Sequence, residues 1–107
     1  MSRTLERIKE LVVRQEVQIS DHGYDELADE GLFIEDILAG LATAVVVEDY
    51  PTYRKGPCVL VLQQDGQGKL IHVVWGIPKD ASSPAVVVTA YRPDPARWGE
   101  DFLSRKS

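Results

Sequence analysis

The sequence predicts an α+β domain in which two to three N-terminal helices pack on a mostly antiparallel four-stranded sheet, followed by a short C-terminal helix. Three observations carry that expectation. Apolar residues recur at helical spacing as far as Leu41. From Ala42 onward the chain turns to β-branched runs bounded by turn residues. Two of those runs are separated by a stretch containing Asp65-Gly66, a strong hairpin signal. At 107 residues the chain fits one domain, 1–107, large enough to bury a core without a disulfide or metal.

The first helix is expected over residues 3–15, where Leu5, Ile8, Leu11 and Val12 share a face. Residues 17–20 read as a short strand. Ser20 or Asp21 can cap a second helix, because a side-chain oxygen accepts from the free amides of the first turn. Gly31 stops that helix, since it takes positive φ without steric cost. Ile34, Ile37, Leu38 and Leu41 form the stripe of a third helix. Glu35 and Asp36 fall in its first turn, where the helix dipole favours negative charge.

Four strands are expected at residues 43–49, 58–63, 69–76 and 85–91. Closing the hairpin symmetrically about Asp65-Gly66 would set Leu60 opposite His72, with Cys58 two residues along the same face. Several strands are apolar at both parities, so both sheet faces should be at least partly covered. The tail over residues 96–106 is the expected terminal helix, lying on one of them.

The apolar runs are far shorter than the roughly 20 residues a membrane span needs. The N-terminal residues are charged throughout and lack an apolar signal core, which sets the expectation of a cytoplasmic protein with no membrane contact. One cysteine, Cys58, rules out an intrachain disulfide framework. The net charge of −5 is unevenly distributed. Residues 21–49 hold nine acids and no Lys or Arg, whereas residues 50–107 hold eight Lys/Arg against five acids. Such asymmetry points to two different surfaces, although solvated faces of acidic helices are its plainest explanation.

The chain has only two histidines. His22 sits at the second helix's N-terminus among Asp21, Asp25 and Glu26, where it can serve as a base, an anion contact or simply a helix-start residue beside Tyr24. His72 lies mid-strand, where its nitrogens need partners, and Thr89 or Tyr91 on the next strand would supply one. Either a catalytic or a satisfied core histidine fits that position. Cys58 reads as an inert core thiol, and the two histidines have no metal-ligand spacing, so no metal or other cofactor is expected. Tyr50, Tyr53, Arg54 and Lys55 share a loop, while Tyr91-Arg92 and Trp98 follow the fourth strand. Arginine with tyrosine suits phosphate contact and base stacking.

These residues resemble the bacterial domain-of-unknown-function family numbered 4258. Ser20, His22, Leu27 and Gly31 match its opening segment; Glu48, Asp49, Tyr50 and Pro51 match an acidic-Tyr-Pro segment. Gly56, Pro57 and His72 match the following hairpin, and Thr89, Tyr91, Pro93 and Trp98 match its close. That family in turn is similar to the RelE/ParE-like toxin superfamily, whose members often cleave RNA without metal and pair with an antitoxin. The resemblance implies a RelE-like fold and a metal-independent endoribonuclease of a toxin-antitoxin pair. His72, and after it His22, would act as base or acid, with Tyr91 orienting the substrate. Arg54, Arg92 and Tyr50 would bind it. RNA or the ribosome and an antitoxin-like protein are the implied partners, and a homo-oligomer is compatible.

One departure points elsewhere. Where the family commonly carries arginines on the second helix, this chain has Glu26 and Glu30. Nucleic-acid affinity draws heavily on Lys/Arg, so an acidic helix works against it. The alternative is a non-catalytic protein–protein interaction module of the same fold, using its acidic helical face.

Overall fold

A computed structural model describes residues 2–106. Helix α1 spans Arg3–Val13, and the Ser2 side chain accepts from the Leu5 amide at 3.0 Å. It ends two residues before the expected boundary: Arg14 caps it, and Gln15 turns the chain at φ 62°. Strand β1 (Val17–Ile19) leads into α2 (Asp21–Glu30), capped by Ser20 and stopped by Gly31 at φ 66°. Helix α3 (Ile34–Gly40) follows, with a single tighter turn over Leu41–Thr43. Strands β2 (Val45–Tyr50), β3 (Cys58–Gln64), β4 (Leu70–Gly76) and β5 (Ala85–Tyr91) complete the fold.

The sheet has five strands in the order β1-β5-β4-β3-β2, one more than expected. The addition is β1, which pairs with β5 in parallel, whereas the other three pairings are antiparallel. A three-residue strand carries too little alternation to declare a pairing with a segment nearly 70 residues away.

All three helices pack on one sheet face. Leu5, Ile8, Leu27 and Ile37 meet Val61, Val73 and Trp75 there in a single apolar cluster. Gln63 enters this core at 2 % exposure. Its amide nitrogen donates to the Ile37 carbonyl at 2.9 Å, and its oxygen accepts from Trp75 Nε1 at 2.9 Å. Both ends are therefore satisfied, as a buried amide requires. Helix α2 sits directly on β5: a Cβ at Gly23 would lie 2.6 Å from the Val87 carbonyl oxygen.

The β3–β4 hairpin differs in register from symmetric closure. Leu62, not Leu60, opposes His72. Asp65 nucleates a five-residue loop centred on Gln67 by accepting from the amides of Gln67 and Lys69 at 2.8 and 2.9 Å, so the turn lies further along the chain than Asp65-Gly66 implies. Moving the centre by one residue moves the pairing by two, so His72 keeps its face.

The terminal helix is absent. Residues 93–106 form a strap of turns, tied by an isolated bridge between Trp98 and Arg105. Asp94 and Asp101 each accept from the amide two residues on, of Ala96 and Leu103, a local bond that competes with helix. Gly99 and the positive φ of Phe102 (59°) also break helical continuity.

Candidate functional site

The sheet face opposite the helices carries His72, Tyr91 and Tyr50 among the residues singled out from sequence, and the strap crosses it. His72 projects from β4 with Leu62 and Tyr91 as its cross-strand neighbours. Trp98 lies edge-on to the imidazole, ring centres 4.4 Å apart, and Tyr91 does the same at 5.5 Å. Above them the Arg105 guanidinium stacks 4.7 Å from the Trp98 ring. Arg105 also donates two hydrogen bonds to Glu48 of β2, at 2.9 and 3.0 Å. The Tyr50 hydroxyl donates to the same carboxylate at 2.7 Å.

These contacts decide the chemistry of His72, which is 0 % exposed. Its Nε2 lies 2.8 Å from the Phe102 carbonyl. A carbonyl can only accept, so in the neutral ring Nε2 carries the hydrogen and Nδ1 the lone pair. Among the described residues Nδ1 has no partner. Burial pushes the imidazole below its ordinary pKa; the nearby Arg105 charge adds to this, while the Phe102 carbonyl and Glu48 oppose it. The ring is thus a neutral base whose lone pair is enclosed by protein.

The other candidates are dispersed. Burial raises the Tyr91 phenol, and its hydrogen bond to Glu48 raises that of Tyr50, so both stay protonated. Arg92 is bound to Asp65 at 3.0 Å, at the hairpin end of the sheet. Arg54 is exposed on the β2–β3 loop, about 20 Å away along β3. His22 stands on α2, on the opposite side of the sheet, with its side chain 66 % exposed and Nε2 3.7 Å from Glu26. The structure therefore gathers His72 and Tyr91, links Tyr50 to them through Glu48 and Arg105, and separates His22, Arg54 and Arg92. Cys58 faces Gly76 rather than His72, and burial with the neighbouring Asp49 charge raises its thiol.

Sequence reasoning missed Glu48, Phe102 and Arg105. Alternation along β2 gives a weak sign of Glu48's face, but a bulge between Val46 and Glu48 shifts the parity. Nothing local marks Phe102 as the acceptor for His72. Among the described residues no three potential metal ligands converge, and no helix is long and apolar enough to cross a membrane.

Fold and site together define a small α+β protein with a polar-aromatic cluster on one sheet face, its histidine buried beneath the C-terminal strap. The chain belongs to the family described as Domain of unknown function (DUF4258), whose model matches residues 19–92. The matched span contains His22, Glu48, His72 and Tyr91 and ends at Arg92, before the strap. Comparison with curated proteins and with solved structures found no match.

Proposed function

We propose that the protein is a non-catalytic interaction module whose acidic helical face engages a basic partner protein in the cytoplasm. The observation that carries this reading is the outer face of α2. Asp21, Asp25 and Asp29 recur there at four-residue spacing, all exposed, with no Lys or Arg between residues 21 and 49. A stripe of uncompensated carboxylates repels phosphates and attracts Lys/Arg-bearing surfaces. The enclosure of His72 supports the same reading, because a general base must come within hydrogen-bond reach of its substrate. An antitoxin-like protein is the kind of partner that similarity to the RelE/ParE-like superfamily suggests.

The competing reading is a metal-independent endoribonuclease. The unpartnered Nδ1 of His72, on a ring that lies edge-on to Tyr91, favours it, since a neutral imidazole with a free lone pair has the form of a general base. Its chemistry would require the strap to leave the sheet, and Arg92 would have to release Asp65 to reach a phosphate.

The test uses charge reversal on the exposed stripe. Glu26 and Glu30 are less suitable targets: Glu26 faces His22, and Glu30 accepts from the Arg92 amide at 3.4 Å. An Asp25→Lys/Asp29→Lys variant should lose the basic proteins that co-purify with the wild type. Retention of every one of them contradicts the proposal.

A further inference from the structure

Strand β1 closes one side of the sheet and leaves its outer edge unpaired. The Ala85 amide donates to the Glu16 carbonyl at 2.9 Å, and the Ser20 amide donates to the Val87 carbonyl at 3.0 Å. With Val17 opposite Ala85 and Ile19 opposite Val87, the backbone groups of residues 16, 18 and 20 are those facing β5. The N–H and C=O groups of Val17 and Ile19 therefore point outward. An edge with two free donors and two free acceptors is a template for another strand.

Beside this edge lies a cleft of about 600 Å³. Val12 of α1, Tyr24 of α2 and Ile34 and Leu38 of α3 wall it, and Val17 and Ile19 form its floor. Tyr24 is 61 % exposed, and the apolar side chains of Val12, Val17, Ile19, Ile34 and Leu38 are half-buried. Apolar side chains this open, beside an unpaired strand, fit a peptide whose alternate residues point into the cleft.

The charges around it select the occupant. Glu16 and Asp21 flank the two ends of β1, Asp25 follows Tyr24 and Glu35 follows Ile34; all four are exposed. Against these four acids, Arg14 and Lys9 are the cations nearest in sequence to the lining residues, and Lys9 is held at the Ala42 carbonyl. A second copy paired across the edge would bring Glu16 and Asp21 of each chain against those of the other, a like-charge arrangement. A segment bearing Lys or Arg between its apolar residues is complementary.

We infer that the free edge of β1 and the adjoining cleft form a docking site for an extended basic segment of a partner protein. That segment adds a strand to the five-stranded sheet and places alternate apolar side chains in the cleft. The inference rests on the interaction-module reading and names the surface on which such a partner is held.

The test uses a heptapeptide alternating lysine and valine, with a control of identical composition whose valines are contiguous. Amide hydrogen exchange is followed by NMR at low ionic strength. The alternating peptide should slow exchange at Val17 and Ile19, and the control should not. Ile19→Pro removes an outward donor while sparing the β5 ladder, which uses residues 16, 18 and 20, and Ile19→Ala, which trims the same cleft-lining side chain but keeps the donor, is its control. Relative to Ile19→Ala, Ile19→Pro should weaken the alternating peptide by about tenfold while the amide spectrum keeps the dispersion of the folded protein. Binding without protection at Val17 and Ile19, or binding no weaker in Ile19→Pro than in Ile19→Ala, overturns the edge site. Such a result leaves the acidic-face reading standing, since that reading is judged separately by the Asp25→Lys/Asp29→Lys co-purification. Absence of binding by either peptide also overturns the edge site.

Discussion

Lowering the pH from about 7.5 to about 5.5 should cost the protein stability through His72 alone, with a ceiling of about 1.4 kcal/mol. The folded imidazole is 0 % exposed, and its burial depresses its pKa below the ordinary 6.5, so it resists protonation. In the unfolded chain the same ring titrates near that ordinary value. Above it both states are neutral and His72 contributes no pH dependence. Below it, and down to the depressed folded value, the unfolded chain holds a proton that the folded chain lacks. Stability then falls as the pH falls, approaching about 1.4 kcal/mol per pH unit for one proton. Integrated over the interval, a folded ring that stays neutral throughout gives this ceiling, and any protonation of the folded ring lowers the loss below it. The carboxylates of Glu48 and Asp65 do not interfere. Arg105 holds the first below its ordinary 4.5, and the backbone amides of Lys69 and Gln67 hold the second below its ordinary 3.8, so their contributions fade only in stronger acid. Urea unfolding at the two pH values reads the difference, in a His22→Gln background so that His72 is the one imidazole. A His72→Phe substitution, similar in volume, should abolish it. Equal stability at both pH values, or an undiminished difference in the phenylalanine variant, refutes the argument.

Two further outcomes follow from the core. Gln63→Leu strands the Trp75 indole N–H and the Ile37 carbonyl without partners, and should cost about 2–4 kcal/mol in urea unfolding at unchanged m-value. Gly23→Ala drives a Cβ to 2.6 Å from the Val87 carbonyl oxygen, a backbone atom that cannot swing aside. It should lower stability by about 1–3 kcal/mol despite alanine's better helix propensity, and thermal unfolding checks the sign.

Much of the fold was legible in the sequence because its signals are local. The stripe of Leu5, Ile8 and Leu11, the Ser20 cap and the Gly31 stop each act within a few residues, and each holds in the structure. The placement of His72 mid-strand was legible for the same reason, but the polar partner expected from Thr89 or Tyr91 is not there: Tyr91 lies opposite and packs edge-on, and Nε2 donates to the Phe102 carbonyl instead. What the sequence did not reveal depends on partners far apart along the chain. Glu48 meets Arg105 across 57 residues, and His72 meets the Phe102 carbonyl across 30. The strap also mimicked a helix in its apolar spacing, while its Asx turns at Asp94 and Asp101 took the backbone elsewhere. For the acidic block, charge counting marked residues 21–49 but not which of their carboxylates stand open on α2. The pairing of Glu26 with His22 and the contact of Glu30 with Arg92 leave Asp21, Asp25 and Asp29 as the open carboxylates.

The central claim is that this protein binds through its acidic side rather than cleaves through His72. Incubating the purified wild type and His72→Ala with RNA and ribosomes, then mapping 5′ ends of the RNA, tests it most directly. The account predicts the same intact RNA in both samples. Discrete cleavage by the wild type that disappears in an equally folded His72→Ala protein would contradict it and establish the buried imidazole as a catalytic group.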